Sequence, residues 1–184
     1  DESIIPALER QGIEHTDALD YAVVGCVELS THGNNVGWSD AAMFNLVKAL
    51  ELTLTDGECL LTGEQIGLKT GGLTSFATFE ELEKNFALQI DHFMERMISV
   101  CDYVDRKHAE ILPSPFLSSV IDACLERGVD ATAGGAKYNL SGIQAIQVAN
   151  LADSLAALKQ LVFEEKQVSP HKLLKAMQNN FEGS

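Results

Sequence analysis

The chain has 184 residues, of which 46% are hydrophobic and 22% are charged, a composition typical of a globular protein with a hydrophobic core. The formal net charge of −14 disfavours nucleic acids and anionic membrane surfaces as partners, because both attract clustered lysine and arginine. No apolar run approaches the length of a bilayer span, and no secretory signal opens the sequence, so we expect a cytoplasmic protein.

Most of the chain shows the three-to-four-residue spacing of apolar side chains that is typical of helices. The predicted helices cover the ranges 1–12, 41–55, 78–112, 115–127, 142–165 and 169–180. Thr78 and Glu81 form a capping box at the start of the third helix, and Ser169 followed by Pro170 begins the last. The third helix would be about 50 Å long, which exceeds the diameter of a compact domain of this size and suggests packing partners outside the chain. The remaining segments are a strand at 21–24, an irregular glycine-rich segment at 59–75 and an extended one at 129–139.

The range 21–40 carries the clearest chemical signal. Its strand leads into the motif Gly25-Cys26-Val27-Glu28, which a polar loop follows. In an extended backbone residues i and i+2 point to the same face, so the thiol of Cys26 and the carboxylate of Glu28 can meet one small substrate together. The alternatives are a buried inert thiol for Cys26 and a solvated loop charge for Glu28. The other three cysteines are predicted to be reduced thiols with structural roles: 59, 101 and 124.

The cysteine motif and the segments after it resemble the glycyl radical enzymes, the pyruvate formate-lyase-like family. The matching segments, in the family's order, are 25–28, 37–45, 62–71, 134–139 and 153–163. The resemblance covers nearly the whole chain. It implies a piece of a ten-stranded α/β barrel, in which two half-barrels of parallel strands are ringed by helices and the cysteine loop reaches the centre. We therefore predict an α/β fold that is mostly helical, with residues 1–184 as one fragment of the barrel domain, a cysteine loop at about 21–40 and a helical remainder.

The resemblance also implies radical catalysis. Cys26 would give its hydrogen to a glycyl radical and, as a thiyl radical, remove a hydrogen from a small polar substrate, while Glu28 would act as acid and base in the elimination. The pyruvate formate-lyases proper carry two adjacent cysteines in this loop, whereas here Gly25 precedes a single one. This difference favours the dehydratase and carbon–heteroatom lyase branch. Formate C-acetyltransferase activity and a non-catalytic helical interaction module remain the alternatives. The loop at 29–36 departs from the proline-bearing loop of diol dehydratases, which leaves water, sulfonate and amine open as leaving groups.

Three further residues match substrate-binding segments of the family: Asp40, Tyr138 and Asn139. For Asp40 the alternative is a cap of the helix predicted at 41–55, a role that Ser39 could also take. For Tyr138 the alternative is a buried ring whose hydroxyl is satisfied. Three histidines are expected to be exposed: His32, His92 and His108. No metal site is expected, since no second group of ligands completes a set with them.

The radical-storing motif of the family, Arg-x-x-Gly-Tyr, does not occur in the sequence, because none of the three tyrosines follows a glycine. We therefore expect no cofactor bound by this chain, a glycyl radical installed by a radical SAM activating enzyme on a missing segment, and no turnover by the chain alone. The expected partners are a small polar substrate, the activating enzyme and the remainder of the barrel with its glycine loop. A homodimer is compatible with the resemblance, and neither nucleic acid nor membrane is expected.

Overall fold

The structure is a computed structural model that describes residues 1–26 and 28–183; the side chain of Ser39 also lies outside the described part. About half of the described residues are helical, and the chain has mixed α/β character. The elements, in chain order, are α1 (Ile4–Arg10), α2 (His15–Ala18), β1 (Tyr21–Val24), β2 (Glu28–Thr31), β3 (Asn35–Asn45), α3 (Leu46–Leu54), α4 (Phe79–Ile111), α5 (Pro115–Ser118), α6 (Cys124–Arg127), β4 (Tyr138–Ile146), α7 (Val148–Ala157) and α8 (Pro170–Gln178). Two 3₁₀ turns, Leu73–Ser75 and Ala131–Ala133, and a π-helical segment, Leu158–Glu164, complete them.

Contacts divide the chain into two compact units. The first unit contains Asp1–Met43 and Ser99–Gln144, and the second contains Phe44–Ile98 and Ala145–Ser184. That all 184 residues belong to one barrel domain stays a prediction. Among the helices that the structure describes, none is both long enough and apolar enough to cross a lipid bilayer.

Two pairs of strands organise the first unit. β1 and β2 form an antiparallel hairpin in which Val24 pairs with Glu28, so the connecting loop has three residues. β3 pairs with β4, and the two strands run in the same direction. The Tyr138 amide donates to the Asn34 carbonyl at 2.9 Å, and further along both strands Gly37 lies against Leu140. A Cβ on Gly37 would lie 2.7 Å from the Leu140 carbonyl oxygen, so this close approach of the two backbones requires glycine.

The first unit has a small hydrophobic core beneath its hairpin. Leu8, Ile13 and Ala18 are buried there, and partly buried side chains from α1, the hairpin and β4 pack against them. A separate hydrogen-bond cluster surrounds Asp130. Its carboxylate accepts hydrogen bonds, which hold its pKa well below the ordinary value, from the Ser114 amide, the Thr132 hydroxyl and amide, and the Ser118 hydroxyl.

The second unit has the larger core, built from α3, the first part of α4 and the helical segments after β4. Its buried members are Leu50, Leu54, Leu73, Phe76, Phe79, Leu82, Leu158 and Val162. Gln89 on α4 is fully buried beside this core. Its amide nitrogen donates to the Leu68 carbonyl at 2.7 Å, and its amide oxygen accepts from the Leu68 N–H at 2.9 Å. The glycine-rich loop before α4 is thereby fastened to the helix.

The longest predicted helix is confirmed, since α4 covers Phe79–Ile111. The Glu81 amide donates to the Thr78 hydroxyl at 3.3 Å, and the Glu81 carboxylate accepts from the Ala77 amide at 2.7 Å, so the capping box is present with its return bond one residue earlier than usual. At α8 the Ser169 hydroxyl accepts from the Lys172 amide, as predicted.

Four predicted segments are wrong in part. The helix expected at 41–55 begins only at Leu46, and its cap is Asn45, because residues 35–45 form β3. The helix expected at 115–127 is broken into two short ones, with Ala123 in the left-handed region at φ 74°. The helix expected at 142–165 starts as the second half of β4, and the extended segment expected at 129–139 contains a 3₁₀ turn. Each of these two strands is paired with a strand about 100 residues away, and such tertiary pairing overrides the helical spacing read from the sequence, which explains the errors at β3 and β4.

Candidate active site

Cys26 lies at the tip of the β1–β2 hairpin as an exposed, free thiol. The β-branched and aromatic residues of β1 favour a strand, and Gly25 ends it with φ 58°, a left-handed conformation that glycine adopts without strain. Because the strand pair closes at Val24 and Glu28, the loop projects the thiol beyond the last pair of the ladder. The buried-thiol alternative for Cys26 is therefore wrong.

Glu28 is the first residue of β2 and is half-buried. Its Oε1 accepts a hydrogen bond of 2.9 Å from Nε2 of Gln144 on β4. Its other carboxylate oxygen lies against Gly25, where a Cβ would come within 2.6 Å of Oε2. The carboxylate thus bends back over the turn that carries Cys26, and the alternative of a solvated loop charge is wrong.

Tyr138 lies at the start of β4, and its hydroxyl is satisfied by α2. It donates to Oδ2 of Asp17 at 2.6 Å and accepts from the Glu14 amide at 3.0 Å. Lys137 also donates to the Asp17 carboxylate, at 2.7 Å, and to that of Glu14, at 2.9 Å. The hydrogen bond from Lys137 lowers the pKa of Asp17, and the one from Tyr138 has the next largest effect. The carboxylates of Asp17 and Glu14 in turn raise the pKa of Lys137. The hydroxyl of Tyr138 thus has its hydrogen-bond partners within the fold, as in the alternative of a structural tyrosine with a satisfied hydroxyl.

The other two candidate substrate contacts stay predictions. Asn139 donates through its side-chain nitrogen to the carbonyls of Gly134 and Ala136, at 3.2 and 3.0 Å. Asp40 is exposed in the middle of β3, so the capping alternative for it is wrong. Tyr138 is six residues before Gln144 on the same strand, which separates their backbones by about 20 Å. The residue of β4 that contacts Glu28 is therefore Gln144, and not Tyr138, which the sequence had indicated.

The histidines divide into one that is exposed, as expected, and two that are not. His32 is exposed, 3.1 Å from the Asp20 carboxylate. His92 and His108 are half-buried, because the first packs edge-on against Phe93 and the second stacks on Trp38 with 4.5 Å between ring centroids. Their expected exposure is wrong, because these ring contacts cover part of each imidazole. Over residues 1–26 and 28–183, no group of three potential metal ligands comes together.

Cys59 and Cys124 are buried and Cys101 is half-buried, each as a free thiol. Hydrogen bonds from Thr62 lower the pKa of the Cys59 thiol, with a smaller effect from the Lys48 ammonium, whose nitrogen lies 3.6 Å from the sulfur. Because Cys59 is only 5% exposed, it is not a candidate for contact with a substrate.

Gln144 is the site residue that sequence reasoning missed. It belongs to the half-buried face of β4, together with Tyr138, Leu140, Gly142 and Ile146. The alternation of this face with an exposed one was a signal for a strand, and a lone amide among mainly apolar positions was a signal for a buried hydrogen bond. Its partner Glu28 is 116 residues away, so nothing local identified the pair.

The comparison with protein-family models decides the family. The model described as pyruvate formate lyase-like matches residues 1–184. The chain belongs to this family. The resemblance inferred from the cysteine motif is thereby confirmed, and the α/β fold class is confirmed by the solved structure of a relative described next.

Three relatives show the range of this part of the family. The (2S)-3-sulfopropanediol dehydratase of Klebsiella oxytoca is 41% identical over 179 residues, which are 97% of this chain and 22% of that protein. The isethionate sulfite-lyase of Oleidesulfovibrio alaskensis is 33% identical over 186 residues, which are 100% of this chain and 22% of that protein. A glycerol-bound B12-independent glycerol dehydratase of Clostridium butyricum superposes with a TM-score of 0.94 at 42% identity, covering 100% of this chain and 23% of that one. The chain thus spans less than a quarter of the length of these relatives.

Proposed function

We propose that this chain is the thiyl-bearing part of a glycyl radical dehydratase or carbon–heteroatom lyase that acts on a small polar substrate. The observation that carries the proposal is the hairpin tip, where the exposed thiol of Cys26 lies in the three-residue turn and Glu28, the first residue after the turn, has its carboxylate held by Gln144. The named activities of the relatives, dehydratases and a sulfite-lyase, support an elimination.

The resident radical, carried on a glycine outside the described residues and installed by a radical SAM activating enzyme, would supply the one-electron oxidising equivalent. An exposed thiol at a projecting tip fits such a partner, because another segment can approach it without unfolding the hairpin.

Cys26 first gives up its thiol hydrogen atom and becomes a thiyl radical. The thiyl sulfur then takes a hydrogen atom from a substrate carbon that carries a hydroxyl group. Glu28, as a carboxylate, accepts the proton of that hydroxyl, and the group on the neighbouring carbon leaves with its bonding electrons. When that group leaves as water, Glu28 returns the proton to it. The product radical finally takes the hydrogen atom back from Cys26, which regenerates the thiyl radical.

The proposal is tested in a full-length polypeptide that carries these residues, activated under anaerobic conditions. Cys26→Ser is expected to keep the glycyl signal in electron paramagnetic resonance and to lose all turnover. Glu28→Gln is expected to lower turnover by roughly 10²- to 10⁴-fold, the usual contribution of acid–base catalysis. Cys101→Ser, on α4, is the matched control and should leave turnover unchanged. Turnover by the Cys26→Ser variant at the wild-type rate would refute the proposal.

The same preparation separates the two kinds of elimination. Glycerol and 1,2-propanediol test loss of water, measured as aldehyde formation, and isethionate tests loss of sulfite. Acetyl transfer from pyruvate to coenzyme A tests the alternative activity. We expect no acetyl transfer, because the position next to Cys26 that would hold a second thiol is Gly25, with a positive φ.

A further inference from the structure

We infer that Gln144 is a positioning residue for Glu28, and that Gly25 provides the space in which the carboxylate lies. This inference rests on the proposed role of Glu28. The hydrogen bond from Nε2 of Gln144 to Oε1 of Glu28 is 2.9 Å long and joins β4 to the start of β2. It brings together residues 116 positions apart, so it exists only when β4 lies beside the hairpin.

Burial makes this hydrogen bond matter. Gln144 lies on the half-buried face of β4, where polar side chains are rarely left without a partner. Hydrogen bonds in which one group is ionised are shorter and stronger than neutral ones, and an amide that donates to a carboxylate is of this kind. The bond therefore fixes Oε1 on the side of the carboxylate that faces β4.

Gly25 limits the carboxylate on its other side. A Cβ at this position would lie 2.6 Å from Oε2 and 3.4 Å from the carboxylate carbon of Glu28. Since Gly25 also has φ 58°, any side chain there is strained in addition to colliding. With one oxygen bonded to Gln144 and the other lying on the glycine, the plane of the carboxylate is defined relative to the loop that carries Cys26.

A defined carboxylate plane serves the proton-transfer step and not the hydrogen-atom step. Proton transfer requires the acceptor oxygen to be within hydrogen-bond reach of the substrate hydroxyl, and small displacements are costly. Hydrogen-atom exchange at the sulfur of Cys26 does not need the carboxylate. Loss of positioning should thus lower elimination while exchange of substrate hydrogen continues.

The experiment measures both steps in the activated full-length polypeptide in deuterated water. Deuterium that appears in recovered substrate reports exchange through Cys26, and product formation reports elimination. Gln144→Met keeps the length of the side chain without the donor, and we expect it to lower the kcat of elimination by about 10- to 100-fold, with deuterium exchange and KM within about threefold of wild type. Gln144→Glu places a second carboxylate against Glu28 and should lower elimination further.

Gly25→Ala should lower elimination because its Cβ displaces the same carboxylate, and its backbone strain next to Cys26 should lower exchange as well, so the separation of the two steps is expected only in the Gln144 variants. The Gly25→Ala/Gln144→Met double variant should lose less than the product of the two single losses, as expected for residues that act through one group. Ser141→Ala, on the exposed face of β4, is the matched control and should behave as wild type.

The outcomes distinguish this inference from the proposed function. Equal loss of exchange and elimination in Gln144→Met would mean that Gln144 supports the hairpin as a whole, which would overturn the inference. Wild-type elimination in both Gln144 variants, with Cys26→Ser inactive, would overturn the inference and leave the proposed function intact. Activity of Cys26→Ser would remove the basis of both.

Discussion

Replacing Gln89 by leucine tests how the glycine-rich loop before α4 is held. The change removes the two hydrogen bonds to Leu68 and leaves the N–H and carbonyl of that residue without their partner. A buried backbone group that loses its partner costs about 1–3 kcal/mol, and part of this is offset by the apolar leucine at a fully buried position. We therefore expect Gln89→Leu to lower the free energy of unfolding by about 2–4 kcal/mol.

Urea unfolding followed by circular dichroism measures the loss, and hydrogen–deuterium exchange of the Leu68 amide locates it. Gln65→Leu is the matched control, since Gln65 lies in the same loop and donates to the carbonyls of Asp56 and Gly67 at 2.9 and 3.0 Å, but is exposed. Water can replace those bonds, so its cost should stay below about 1 kcal/mol. Unchanged stability of Gln89→Leu, or an equal loss in Gln65→Leu, would refute the reasoning.

Two further predictions concern the hydrogen-bond cluster of the first unit and the hydrophobic core of the second. Hydrogen bonds lower the pKa of Asp130 in the folded state, so the stability that they provide is complete above the ordinary carboxyl pKa and is lost as the pH falls from there towards the folded-state pKa. The loss of Tm in Asp130→Asn should therefore be largest at neutral pH and shrink below about pH 4. An equal Tm difference at every pH would contradict this. Leu82 is fully buried, and Leu82→Ala should lower the free energy of unfolding, measured in urea, by about 2–5 kcal/mol. Leu88→Ala, on the exposed side of α4, should lower it by well under about 1 kcal/mol. Similar losses in the two variants would show that burial does not determine the cost.

The elements that the sequence predicted well have local signals at both ends. α4 has Thr78 and Glu81 at its start and Pro113 after its end, and β1 is followed directly by Gly25. β3 and β4 were mistaken for helical segments because each is stabilised by pairing with a strand about 100 residues away. Propensity acts within a few residues, and such tertiary pairing overrides it.

The same distinction applies to the candidate site. Cys26 and Glu28 could be predicted as neighbours because they are only two residues apart in the sequence. Gln144 could not, because only the fold brings it to Glu28. The sequence indicated Tyr138 by family resemblance, yet its hydroxyl is engaged by α2, a contact that depends on tertiary packing.

The three-residue loop of the hairpin has a consequence for how specificity can change. Because Cys26 lies in this loop and Glu28 is the first residue after it, the separation of their backbones is set by the hairpin, whereas the hydrogen bond from Gln144 sets where the carboxylate lies. Under the proposed function, adaptation to a longer, bulkier or differently charged substrate would therefore fall to Gln144 and the other residues that face the hairpin, with the backbone of the hairpin unchanged.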